Sequence, residues 1–233
     1  MALGLAAAAL GQADEPAKPL VATTPRVPAV GIELPDDART QLRAHTDALG
    51  QAIDALARQH ADTPPLLRHL PDVQVYHKAV DWALNHRIFF KPGELKTAEE
   101  LLVAGSERAA QLASGKTPWT RATGLVVRGY ISRLDDSVQP YGLVIPQSVS
   151  TDPWRKRRLD VWLHGRDNKL SELKFIQQRR TSAGQFTPSD TIVLHPYGRF
   201  CNAFKFAGEA DVLEALAHAK KQYPVDNNRV SIR

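Results

Sequence analysis

The run LDVWLHGRD, Leu159 to Asp167, limits what this chain can fold into more than any other stretch. Leu159 to Leu163 is apolar apart from Asp160, too short for a helix and suited to a strand buried on both faces. The run stops at His164-Gly165-Arg166, where a glycine allows the backbone to turn sharply and present amide N–H groups. Two further strand-like runs follow, Thr191 to His195 and Arg229 to Arg233. The helical segments Leu170 to Arg180 and Gly208 to Tyr223 separate each from the one before. Strand–helix–strand–helix–strand is the pattern of a parallel sheet covered by helices, an α/β fold. Pro224 ends the second helix, and VDNN, Val225 to Asn228, reads as a turn into the last strand.

Upstream the periodicity is helical. Asp36 and Asp37 favour a helix start, and Ala38, Leu42, His45, Leu49, Ile53 and Leu56 share one face. Pro64-Pro65 breaks that helix, and Pro71-Asp72 opens a second with Val73, Tyr76, Val80, Ala83 and Leu84 inward. Thr97 with Glu100 reads as a capping box for a third helix, which Gly115 stops. From Trp119 to Pro146 the period becomes alternating, with Asp135-Asp136-Ser137 as turn residues, so an antiparallel hairpin leads into the parallel strands. The organisation expected is a signal-like segment at 1–13, a proline-rich linker at 14–35, a helical accessory region at 36–118 and a partial α/β domain at 119–233.

The apolar run Ala2 to Gly11 is too short to span a bilayer, and Gly11 and Ala13 suit the cleavage rule of an export signal. No Lys or Arg precedes it, so either the true start lies upstream of Met1 or this is an alanine-rich helix. Export, to the periplasm or outside the cell, is the reading adopted, without stable membrane insertion. A single cysteine, Cys201, excludes an intrachain disulfide and a cysteine zinc cluster. The net charge of +5 is a mild excess, and its one dense cluster, Arg155-Lys156-Arg157-Arg158, reads as a solvated loop; a nucleic-acid partner is not expected. No G-x-G-x-x-G follows any strand, and no histidines have the spacing of a helical metal pair, so no cofactor and no metal are assigned.

In an open parallel sheet ligands collect at the carboxyl ends of the strands. That singles out His164-Gly165-Arg166-Asp167 and His195-Pro196-Tyr197-Gly198-Arg199. Of the remaining candidates, His218 reads as solvent-facing on the second crossover helix, and Ser231 lies within a strand rather than at an exposed turn.

VWLHGR after a hairpin ending in YGLVIP, then HPYG, NAFKFAGEADVLEAL and DNNRVSIR, resembles an α/β-hydrolase of the prolyl-oligopeptidase-like serine hydrolase group. The resemblance covers Gly124 to Arg233. It implies the first half of an α/β-hydrolase sheet, an antiparallel hairpin and then βαβαβ, in a secreted serine peptidase or esterase acting on a peptide or ester bond. It implies an oxyanion-hole donor at the Arg166 N–H, with Gly165 permitting the turn and His164 beside it. From their chemistry, Arg166 and Arg199 are instead candidates to grip a substrate carboxylate bidentately, with Tyr197 a further substrate-binding candidate in the second loop. The same resemblance places a G-x-S-x-G nucleophile elbow after RVSIR. No such motif occurs in the 233 residues, and in this group the acid and the histidine follow the serine. Nucleophile, acid and base are therefore not in this chain, which alone is expected to be inactive. The alternative is a non-catalytic helical binding module joined to a truncated α/β half.

Overall fold

A computed structural model describes residues 30–200 and 204–233. The signal-like run, most of the proline-rich stretch and Cys201 lie outside the described residues. The chain is mixed α/β, a helical region followed by a five-stranded sheet. The helices are α1 (Asp36–Gln59), α2 (Pro64–Leu67), α3 (Pro71–His86) and α4 (Glu94–Ala113). After a 3₁₀ turn at Pro118–Thr120 come β1 (Gly124–Ile131), β2 (Val138–Ile145), α5 (Ser148–Thr151), β3 (Arg157–Val161), α6 (Glu172–Thr181), β4 (Thr191–Pro196), α7 (Ala207–Gln222) and β5 (Val225–Ile232).

The strand order is β1-β2-β4-β3-β5. β2 is antiparallel to both β1 and β4, whereas β3 runs parallel to β4 and β5. The hairpin and the two crossovers expected from the sequence are present. One face of the sheet meets α3 and α6, which share a core with α1 and α4 built from Leu42, Tyr76, Leu101, Phe175 and Val127. The other face, with Val126, Leu143, Leu159 and Leu194, is covered by α7 through Val212, Ala215 and Ala219. Helical and alternating periods thus meet in a three-layer arrangement, and strands inside it are buried on both sides.

The helices and the sheet are joined at a buried polar seam that the sequence pattern conceals. Asp72, read as a helix-start residue, is 1% exposed. Its Oδ1 accepts from Arg128 Nε at 2.9 Å and from the Gly129 N–H at 2.8 Å, and its Oδ2 from Trp119 Nε1 at 2.8 Å. Arg128 is fully buried on β1 and also donates to the Tyr223 hydroxyl at 2.9 Å. Burial raises the Asp72 pKa, but the Arg128 charge and hydrogen bond, with His69 Nδ1 3.5 Å away, outweigh it and hold the carboxyl well below its usual range. At Gly129 a Cβ would lie 2.1 Å from the Pro71 carbonyl oxygen, so only glycine lets α3 approach β1 this closely.

Several local expectations change for physical reasons. Thr46 takes the buried position on α1 and His45 is exposed, because the face follows Leu42, Leu49 and Ile53. α4 starts at Glu94, ahead of Thr97, and Glu94 Oε2 itself accepts from the Phe90 N–H at 2.7 Å. Gly115, at φ +74°, follows the end of α4 as expected, with the Lys116 N–H bonded to the Gln111 carbonyl. The basic cluster is a solvated loop only at Arg155 and Lys156, which are exposed ahead of β3; Arg157 and Arg158 lie on the strand. Arg157 is 1% exposed on β3, where it donates to the Ser148 and Asp152 carbonyls, Arg158 pairs with Asp160, and Arg155 grips Asp190 through both terminal nitrogens at 2.7 Å. Asp160, fully buried near the carboxyl end of β3, is further satisfied by Arg233 Nε at 2.9 Å. Val225–Asn228 is strand, not a turn before one. Its turn chemistry appears as an irregularity in β5, whose register jumps from Arg157↔Val225 to Leu159↔Val230 while Asp226 Oδ1 accepts from the Asn228 N–H at 3.0 Å.

Candidate functional site

The carboxyl ends of β3, β4 and β5 lie side by side. Trp162 N–H bonds to the Leu194 carbonyl at 2.8 Å, Leu163 N–H to the Arg233 carbonyl at 2.9 Å, and Arg233 N–H to the Val161 carbonyl at 2.8 Å. The two loops singled out from the sequence therefore emerge on one edge. They touch through His164, whose Nε2 lies 3.0 Å from the Tyr197 carbonyl oxygen and whose Nδ1 lies 2.9 Å from that of Gly165. Its ring also packs 4.7 Å from that of Phe204.

Beyond His164 the loop is open. Gly165 and Arg166 are exposed, and their N–H groups donate to no acceptor among the described residues. Gly165 does not have a positive φ, and a Cβ there would meet nothing within 4 Å. The glycine is thus not required by the turn, contrary to the reason given from the sequence. The loop is held instead by Asp167, which accepts from the Lys169 N–H and from Lys174 Nζ, both at 2.8 Å, and by Ser171, which caps α6 by accepting from the Lys174 N–H.

The β4 loop is closed. Tyr197 is 3% exposed, donates its hydroxyl to the Leu170 carbonyl at 3.2 Å, and packs 5.1 Å from the Phe175 ring. Arg199, in the left-handed region at φ +63°, is chelated by Asp135 at 2.5 Å and Asp211 at 3.1 Å and also donates to Ser132 Oγ. Gly198, at φ +68°, is held by necessity, since a Cβ there would lie 2.4 Å from the Phe204 ring. Of the two candidate arginines, Arg166 is exposed and its guanidinium has no partner among the described residues, whereas Arg199 already holds two carboxylates.

The histidines resolve into distinct settings. His195 is buried on β4 opposite Gly142, and burial, followed by the charges of Arg179 and His164, pushes its imidazole down to about 3. It is neutral at physiological pH. His218 does not face solvent as expected. Its Nδ1 lies 2.8 Å from the Tyr141 hydroxyl oxygen, and burial, followed by the Arg128 charge, pushes its imidazole down to about 4. Ser231 is part-buried within β5. The structure therefore assembles no nucleophile–base pair from these groups, and no cluster of three or more His, Cys, Asp or Glu side chains suited to a metal occurs among the described residues. No helix among them is long and apolar enough to cross a membrane.

One further feature had no sequence signal. A cavity of about 420 Å³ lies beneath the β4 loop, between α3 and the sheet, and is lined by a part-buried Lys78–Glu172 pair at 2.6 Å. Glu172 follows the Ser171 cap and reads as an ordinary first-turn acid, and Lys78 reads as a solvated helix residue. Only the packing of α3 on α6 brings them together.

Compared with known proteins, the chain matches no protein-family model, no curated protein and no solved structure.

Proposed function

We propose that this chain is the amino-terminal part of an exported serine hydrolase of the prolyl-oligopeptidase-like α/β-hydrolase group, cleaving a peptide or ester bond. In this reading the chain contributes the oxyanion-hole donor and a substrate contact, while nucleophile, acid and base come from sequence not among these residues. The observation that carries it is the open end of β3, where the Gly165 and Arg166 N–H groups have no acceptor among the described residues beside the end of β5. Backbone donors fixed at a strand end stabilise negative charge as it develops on a carbonyl oxygen, with about 2.7–4 kcal/mol per donor. The sheet order supports the same reading. An antiparallel hairpin followed by parallel strands, with β4 inserted between β2 and β3, fits the front half of such a fold. Arg166, whose guanidinium has no partner among the described residues, is the arginine assigned to a substrate carboxylate.

The test is made on the natural full-length product. A fluorophosphonate probe is expected to label it, and the 233-residue chain alone is expected to remain unlabelled. Replacing Arg166 with proline removes the N–H, whereas alanine keeps it. R166P should lower kcat by about 10²–10³-fold and R166A should spare kcat while raising KM. Equal kcat losses in both variants, or none in either, would remove the donor from this position, and failure of the probe to label would remove the hydrolase reading.

A further inference from the structure

A second cavity, of about 830 Å³, opens between the end of α2, the last turn of α4, the segment from Lys116 to Arg121 and the end of α7. Of the residues around it only Pro118 is apolar. Its ionised side chains are all cations, Arg68, Lys116 and Arg121, each exposed, and no Asp or Glu lines it. This is unlike the rest of the surface. Arg39, Arg43, Arg155 and Lys174 each pair with a carboxylate, and the cavity between α4 and α6 sets Lys96 and Arg180 against three glutamates. Arg68, Lys116 and Arg121 have no carboxylate partner among the described residues. Behind the wall, Asp72 is enclosed and already compensated by Arg128, while the Arg108 guanidinium, 5.1 Å from the Trp119 ring centre, adds positive charge beneath the 3₁₀ turn. Like charges gathered in a concave surface focus their field on whatever enters it.

The cations are presented on an ordered frame. Arg68 Nε donates to His69 Nε2 at 3.3 Å, which orients the guanidinium and leaves its two terminal nitrogens without an acceptor among the described residues. The segment that bears Lys116 and Arg121 is closed by its own backbone. The Lys116 N–H donates to the Gln111 carbonyl at 2.9 Å, the Thr120 N–H to that of Thr117 at 3.0 Å, and the Arg121 N–H to that of Pro118 at 3.1 Å. The side chains of Gln111, Thr117 and Gln222 also line the cavity and have no hydrogen-bond partner among the described residues.

This lining narrows the ligand. It offers many donors and almost no apolar surface, so the ligand is polar, anionic and rich in acceptor oxygens. Guanidinium forks match phosphate oxygens in pairs, and an ammonium adds a point charge. A carboxylate brings one negative charge and a phosphate group about 1.5–2, short of the three cations, whereas two linked phosphate groups match them. We propose that this cavity binds the diphosphate group of a small polar compound, held by Arg68, Lys116 and Arg121. The site is independent of the hydrolase reading, since it contains no residue of the β3 and β4 loops and binding there requires no catalysis.

Inorganic pyrophosphate is the probe, titrated into the 233-residue chain in 0.1 M salt without divalent cations and followed by calorimetry and phosphorus NMR. It should bind with a Kd below about 1 mM, at least about tenfold tighter than inorganic phosphate or acetate. Arg121→Gln and Lys116→Gln, both at exposed positions, should each weaken it about tenfold, with melting transitions matching the parent. Lys156→Gln removes the same charge from an exposed position outside the cavity and should change the affinity less than about twofold. The proposal is overturned by no pyrophosphate binding up to about 10 mM, by equal affinity for phosphate, or by full affinity in both cavity variants. An equal loss in Lys156→Gln and Arg121→Gln overturns it as well, because attraction to the overall charge then accounts for the binding.

Discussion

At the seam between α3 and β1, a glycine lies under a carbonyl oxygen and a carboxylate accepts from three donors inside the protein. At the end of β3, a glycine faces open space, and two consecutive backbone N–H groups have no acceptor among the described residues. Both places use the same materials, glycine, arginine and carboxylate, near the ends of buried strands. At the first, glycine is required by sterics and the arginine by a buried charge. At the second, neither Gly165 nor the Arg166 side chain is required by anything the fold does. A residue type therefore does not reveal its role; its surroundings do. A glycine without a steric reason and an arginine without a partner at a strand end invite a functional explanation in a way that Gly129 and Arg128 do not.

This contrast can be broken by substitution. The largest effect is expected for Asp72→Ala, which leaves the Arg128 guanidinium buried and uncompensated. Denaturant unfolding should show a loss of about 3–5 kcal/mol, and a loss below about 1 kcal/mol would mean that the seam is not closed in solution. Gly129→Ala should follow, at about 1–3 kcal/mol from overpacking against Pro71, measured in the same way. Gly165→Ala marks the other extreme and should change stability by less than about 0.5 kcal/mol, since the added methyl meets nothing. A large loss there would show that the open loop has a structural role after all.

A pH series sharpens the comparison. His195 and His218, at about 3 and about 4 in the folded chain, are depressed below the ordinary histidine value of 6.5. The unfolded chain therefore binds their protons first, and their contribution to stability is lost as pH falls from about 6.5 toward 4. Asp211 acts in the opposite sense. Burial, only partly offset by Arg199, raises its carboxyl to about 6 from 3.8, so the folded state gains a proton that the unfolded state lacks. Thermal melts should thus fall on acidification through this window. They should fall more steeply in Asp211→Asn and less steeply in His195→Gln. Asp72, held low, enters only below about pH 4, where its contribution is lost on further acidification.

The elements legible in the sequence were those in which one local period suffices. The short apolar run before His164, the helices separating the later strands and the alternating hairpin all appear in the structure, with the strand at β3 beginning two residues earlier, at Arg157. What was not legible depended on partners distant in the chain. Pro71-Asp72 carries an ordinary helix-start signal, and nothing local says that Asp72 will meet Arg128. The one available clue was an arginine inside an otherwise apolar strand, GLVVRGYI, a position that buries a charge only when a carboxylate awaits it. Likewise Glu172 and Lys78 read as solvated residues until α3 is laid on α6. At the candidate site, the sequence located both loops on the correct edge but could not distinguish the occupied Arg199 from the unengaged Arg166.

The order of the strands bears on how quickly the chain reaches this structure. Only the β1–β2 hairpin is formed by neighbouring segments; β4 must enter between β2 and β3, and β5 must pair with β3 across the whole of α6, β4 and α7. Each of those pairings closes a long loop before its contacts are gained, so topology places this protein among slow folders despite its helical beginning. The helical layer, with its short connections, can form early and offer Asp72 as a ready partner, so that β1 is the first strand to find its place and the hairpin becomes the template on which the remaining strands assemble.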